Sequence, residues 1–200
     1  MQILCVTDQV TGVTYLDNIV YVVCDRSSTI LLYNMDRCSP LDTVTNIEGV
    51  INADEVINVD GMSNPRDIAV CRDDRQLYVR EIDGRCIWIV SADDHSYMKW
   101  LPNESTTDTD HVYKMSLTSD HILLTSSPPP HLRQYSKTDR QLLRVIPLPD
   151  HVWLLHHAVE TTRQTFVVGY AGTPQDKRQG AVSELFRFCR SCEWIQFTQL

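Results

Sequence analysis

The chain has 200 residues, 42% hydrophobic and 22% charged, values near the globular average that exclude disordered, collagen-like and coiled-coil readings. Acidic residues outnumber basic ones 26 to 18, a formal net charge of −8, so general binding to nucleic acid or to an anionic membrane, which needs a positive surface, is not expected. This length is enough to bury a sizeable core, and residues 1–200 are read as a single domain.

The N-terminal residues Met1-Gln2-Ile3-Leu4-Cys5-Val6 lack the basic start and long apolar run of a secretory signal. Polar residues break every apolar run well short of the roughly 20 residues that cross a bilayer, so no membrane span is predicted. The seven cysteines are odd in number and sit mostly inside apolar runs, as free thiols do in a reducing compartment. The location expected is cytoplasmic. Asn103-Glu104-Ser105 is a formal glycosylation acceptor, without meaning outside the secretory pathway.

In chain order, apolar runs rich in Val, Ile, Leu and Tyr alternate with Asp, Asn, Ser, Gly and Pro, the mark of short strands and turns rather than helices. The first unit has runs at 12–15, 19–23 and 29–33 and a fourth around 42–47, with 51–60 read as an inserted loop or extended hairpin. The second has 67–70, 76–80, 86–90 and 98–101, and the third 114–117, 121–125, 131–135 and 142–146. The fourth has 154–157, 165–169 and a weaker run at 181–185. Residues 186–200 continue none of these patterns and are read as an atypical tail, and 3–6 as either a strand that joins the last unit or a frayed terminus.

Val13, Ile68, Met115 and Leu155 hold equivalent places at intervals of 55, 47 and 40 residues, near the blade length of β-propellers. Four strands with short turns cannot cover both faces of their own sheet, so neighbouring sheets must stack. The fold predicted is all-β and propeller-like, with about four blades of up to four antiparallel strands, at 10–50, 64–104, 110–149 and 150–185. It is either a closed four-bladed ring or an incomplete, open propeller.

The segment Val22-Val23-Cys24-Asp25-Arg26-Ser27-Ser28-Thr29-Ile30-Leu31-Leu32-Tyr33 resembles the NHL repeat, in which a strand ends in an acidic residue, turns, and is followed by an apolar strand with an aromatic ending. Asn64-Pro65-Arg66-Asp67-Ile68-Ala69-Val70 with Leu77-Tyr78-Val79 is similar, with Glu81 at the acidic place. The resemblance covers about 10–185, good in two units and loose in the other two, where Ser126-Ser127-Pro128-Pro129-Pro130 and 172–180 replace the turn. No unit ends in Trp-Asp, so WD repeats fit less well. The resemblance implies a propeller, and NHL propellers bind proteins or RNA. The RING and B-box patterns of ubiquitin ligases are absent from these residues.

Several motifs invite chemistry. Cys189-Arg190-Ser191-Cys192 has the spacing of half a zinc site or a dithiol pair, but no second half is evident, and two incidental thiols explain it as well. His follows Asp at 94–95, 110–111, 120–121 and 150–151. Neighbours on a strand face opposite ways, so a turn-forming Asp before the first residue of a strand accounts for the pattern without a general base. The pair His156-His157 is read as structural, and Trp88, Trp100, Trp153 and Trp194 as packing between blades. No phosphate loop, nucleophile elbow or zinc-protease helix is present.

The function expected is a non-enzymatic protein-interaction scaffold with no cofactor, metal or catalytic residue, binding another protein and neither nucleic acid nor membrane, its oligomeric state left open. Loops at 64–67, 110–111, 150–153, 25–28, 83–85, 127–130 and 172–180 share one face, with Asp25, Arg26, Arg66, Arg85, His131 and Trp153 as the candidate interaction residues. The alternatives are RNA binding, as in some NHL propellers, and a metal-dependent hydrolase of the lactonase-like propeller kind. Asp25, Glu81 and Glu160 are the acids on offer for the metal.

Overall fold

A computed structural model describes residues 9–36, 53–82, 85–100, 111–127, 129–148, 152, 154–160, 166–171, 183–188 and 194–197. The chain is all-β and forms four four-stranded propeller-like blades, none closed on itself. It divides into two compact units, residues 1–101 and 102–200.

In the first unit, β1 (Val10–Leu16), β2 (Ile19–Cys24), β3 (Thr29–Asn34) and β4 (Glu55–Asn58) form one antiparallel meander. The next meander holds β5 (Pro65–Cys71), β6 (Gln76–Glu81), β7 (Cys86–Ser91) and β8 (Tyr97–Trp100). Asp17 and Asn18 close the β1–β2 hairpin with φ of 47° and 61°, the left-handed pair that a two-residue turn requires and that Asp and Asn tolerate best. Strand alternation sends Tyr21, Val23, Ile30, Leu32 and Ile57 to one face of the first blade, where they share a core with Ile68, Leu77, Val79, Trp88 and Val90 of the second. Val59 and Met62, in the connection from β4 to β5, complete it. Each such side chain contributes about 1.5–3 kcal/mol by leaving water, so the core between blades holds this unit together.

The approach of the two blades is tight at Gly12. A Cβ there would sit 2.9 Å from the Ile68 backbone nitrogen and 3.0 Å from its Cγ2, closer than packed atoms allow. Beside it the Thr11 hydroxyl donates to the Pro65 carbonyl at 2.7 Å.

In the second unit, β9 (His111–Leu117), β10 (His121–Ser127), β11 (His131–Ser136) and β12 (Leu142–Pro147) form the third blade. The fourth holds β13 (Leu154–Glu160), β14 (Phe166–Ala171), β15 (Ser183–Phe188) and β16 (Trp194–Phe197). Leu123, Leu132 and Ile146 pack with Ala158, Phe166 and Val168, and Leu148 and Val152 of the connection between blades join them. The Ser116 hydroxyl donates to the Ala158 carbonyl at 2.6 Å, the counterpart of the Thr11 bond. In all four blades the first hairpin shifts register at the end away from its turn, at Val10/Gly12, Pro65/Asp67, Leu124/Ser126 and Leu155/His157. A shared irregularity at the same end of each first hairpin re-aims the strand ends there and marks the blades as structural repeats.

Two strands lie elsewhere than the sequence suggested. The fourth strand of the first blade is Glu55–Asn58, inside the run read as an insertion, while 42–47 falls outside the described residues. Ile57 faces Ile30 across the strands and is 2% exposed, and that one buried residue fixes the register of a strand whose other members face solvent. In the expected tail, Trp194–Phe197 pairs antiparallel with β15 from Leu185↔Phe197 to Phe188↔Trp194. Residues 3–6, Cys189 and Cys192 lie outside the described residues. No helix among the described residues is long and apolar enough to cross a membrane.

Candidate functional site

Three connections meet at one end of the first unit: 25–28 between β2 and β3, 63–64 leading into β5, and the described residues Ile82 and Arg85 between β6 and β7. The Arg66 guanidinium of β5 reaches Asp25 of the first blade at 3.2 Å, and the Ile82 amide donates to the Asn64 carbonyl at 3.2 Å. Arg26 and Arg85 are exposed turn residues with φ of 55° and 47°, in the left-handed region that non-glycine residues adopt mainly in turns. Arg26 stays 4.0 Å from Asp25. The structure thus gathers Asp25, Arg26 and Arg66 in one cluster and places Arg85 in the turn bonded to Asn64.

Sequence reasoning missed Arg80, which is 6% exposed and lies opposite Asp67 in the β5–β6 register. Burial brings its guanidinium down to about 10, Asp67 opposes that, and the like charge of Arg66 adds to it. The signal was a charged pair, Arg80-Glu81, closing an otherwise apolar run.

Glu81, offered above as a metal ligand, is enclosed by donors. Its Oε1 accepts from the Ser63 amide at 2.7 Å, the Ser63 hydroxyl at 2.6 Å and the Asn64 amide at 3.4 Å. Its Oε2 accepts from the Trp88 indole at 2.8 Å and the Cys86 thiol at 3.2 Å. Burial by itself would raise this carboxyl, but the bonds from Ser63, Trp88 and Cys86 outweigh it and hold the group at about 2, below its ordinary 4.5. Burial, with the thiol's bond to Glu81 added to it, pushes Cys86 up to about 12. Glu81 is therefore a charged anchor that ties the segment leading into β5 to Trp88, with both oxygens engaged.

In the second unit Glu160, whose side chain is 6% exposed, takes His121 Nδ1 at 3.0 Å and Gln134 Nε2 at 2.7 Å on the same oxygen. Arg144 Nε donates to Gln134 Oε1 at 2.6 Å, and its guanidinium lies over the Phe166 ring at 5.4 Å. This chain of polar groups links β10, β11 and β12 to β13. His121 is thus more than the first residue of a strand, because its partner is a carboxylate 39 positions away.

Of the other aspartate-histidine pairs, Asp94 behaves as a turn-former. It accepts from the Ser96 amide and hydroxyl at 3.1 and 2.8 Å, and bonds with Ser91 and Ser96 hold it at about 2. His95 meets Glu55 at 3.5 Å. His131 is 7% exposed, so it lies within the blade rather than on its surface. Its Nδ1 donates to the Pro129 carbonyl at 2.7 Å, and its Nε2 is buried with no hydrogen-bond partner. Trp153 and the loop 172–180 lie outside the described residues. Among the described residues no group of three or more His, Cys, Asp or Glu is placed to hold a metal ion.

No family model matches the chain, and no curated protein matches it. Among solved structures it is similar to the RRP9 WD40 repeats, with a TM-score of 0.63 and 12% identity over 96% of this chain and 51% of that one. The Myceliophteria thermophila Cps50 (Swd1) β-propeller domain gives 0.61 and 7%, over 94% and 57% of the two chains. U3-55K gives 0.60 and 11%, over 91% and 59%. The chain spans between half and three fifths of the length of these propellers. At such identities the likeness shows the fold alone, that of a β-propeller.

Proposed function

We propose that the chain is a non-enzymatic interaction scaffold of the NHL-repeat kind, one propeller-like domain that acts in the cytoplasm and binds another protein through the polar turns at one rim of its blades. The observation that carries this reading is the convergence of three connecting segments in the first unit, pinned by Arg66 on Asp25 and by Ile82 on Asn64. Turns held by a rigid sheet present side chains at little entropic cost on binding, which favours recognition. The likeness to WD40 propellers supports the scaffold reading at the level of fold.

Neither alternative has comparable support. A lactonase-like site needs carboxylate oxygens free to face a cation, and both oxygens of Glu81 are occupied by donors. RNA binding needs a positive surface on a chain of net charge −8. The test is paired substitution of the exposed Arg26 and Arg85 in the whole chain, followed by measurement of binding to a partner identified by crosslinking. Loss of binding with the fold retained is expected. Unchanged binding would reject the reading.

A further inference from the structure

We infer that a second copy of this chain docks on the first head to tail, with β13 and β14 of one copy against β1 of the other, and reciprocally. Close to the shared register irregularity, the four first hairpins hold the equivalent pairs Val13↔Val22, Ile68↔Val79, Met115↔Leu124 and Ala158↔Val168. Ile68 and Val79 lie in the core with the first blade, and Ala158 and Val168 in the core with the third, so this is the pair that the second and fourth blades turn to the blade before them. Ile68, Met115 and Ala158 are 5%, 3% and 2% exposed, whereas Val13 is 56% exposed. Tyr15, two positions on and on the same face, is exposed as well. Ala53 packs against Val22, Cys24 and Tyr33 of that face, so its open part is the β1 side.

The next pair in each hairpin faces the other way: Thr14↔Tyr21, Ala69↔Tyr78, Ser116↔Leu123 and Val159↔Val167. Tyr21 and Leu123 lie in the cores shared with the following blade, and Tyr21, Tyr78 and Leu123 are all buried. In the fourth blade Val159 is 43% exposed and Val167 is only partly buried. Among the described residues, β1 and β2 touch β5, and β9 and β10 touch β13. By that repeat, β13 and β14 are the strands that a following blade meets, and β1 is the strand that a preceding blade meets. The chain therefore carries both halves of one junction and leaves both apolar, and this selects a second copy as the occupant. Two copies of a four-blade chain supply a blade number within the roughly four to eight of propellers, and the chain spans 51% to 59% of the propellers it resembles. Head-to-tail contacts of this kind either close or grow into open assemblies, and reciprocal docking closes them at two. The strand faces involved are separate from the turns proposed to bind another protein, so neither reading falls with the other.

The experiment is sedimentation velocity of the full chain over a range of concentrations, in wild type, Val13→Glu, Val159→Glu and, as a control, Leu143→Glu. Leu143 is comparably exposed, on the edge strand β12. All three positions tolerate a polar residue in the folded monomer because they face solvent, and circular dichroism checks that the fold is kept. A monomer–dimer equilibrium is expected for wild type and for Leu143→Glu. Val13→Glu and Val159→Glu should each weaken the dimer at least about tenfold, since either one buries an unpaired carboxylate in both junctions. The inference is overturned by a wild-type chain that stays monomeric at every concentration, by assemblies larger than two, by a dimer that survives either valine substitution, or by one that Leu143→Glu breaks equally.

Discussion

Each unit of the chain buries a glutamate, and the two are used differently. Glu81 has both oxygens filled by donors from the segment before β5 and from β7, so it is a charge solvated by its own unit. Glu160 receives two side chains on one oxygen, and Gln134 passes the contact on to Arg144. The first fixes the path of the chain between two blades. The second joins blades that are already side by side. A buried carboxylate next to histidine or tryptophan looks catalytic in a sequence, and the contrast shows that counting its donors distinguishes an anchor from a free ligand.

The comparison breaks most readily at Glu81. Glu81→Ala strands the buried Trp88 indole and Cys86 thiol, at about 1–3 kcal/mol for a buried donor, and also gives up the charge-assisted bonds from the Ser63 amide and hydroxyl and the Asn64 amide. A fall of at least about 3 kcal/mol in unfolding free energy is expected from urea titration. A loss below about 1 kcal/mol would mean that water replaces the carboxylate without penalty.

Acid provides a graded form of the same test. Because the folded-state value of Glu81 is depressed from 4.5 to about 2, its contribution is complete above about pH 4.5 and disappears as pH falls from there towards 2. That removes about 2–3 kcal/mol. Urea midpoints measured across this interval in wild type and Glu81→Ala should converge as the acid limit is approached. Parallel curves would contradict the assignment.

A smaller effect is expected in the second unit. Glu160→Gln keeps the shape and one acceptor for Gln134 but gives up the charge, so about 1 kcal/mol should be lost. If Glu160→Gln costs as much as Glu81→Ala, the two acids are equivalent and the contrast fails.

Strand positions were legible wherever alternation was strong, as in Ile19–Cys24, Cys86–Ser91 and His131–Ser136, because period-2 burial is written directly in residue type. Glu55–Asn58 was not, since only Ile57 of its four residues is buried and one apolar residue makes no pattern. Trp194–Phe197 was obscured by the preceding Cys-Arg-Ser-Cys segment, whose residues suggest chemistry more readily than a connection. At the candidate face, Asp25, Arg26 and Arg66 were legible as polar turn residues, but their shared ion contact depends on two strands meeting across 41 positions of chain. His131 shows the converse. Its position beside a proline-rich turn suggested display, while the Pro129 carbonyl holds the ring inside. Arg80 and Gln134 were hidden because a polar residue in an apolar run gives no sign of which partner satisfies it.

The most direct test of the claim that the buried acid is structural is thermal unfolding of wild type and Glu81→Ala at neutral pH, each with and without calcium. The account predicts a lower melting temperature for the variant and no effect of calcium on either protein. A calcium-dependent rise in wild type that disappears in Glu81→Ala would contradict it and restore the metal-site reading.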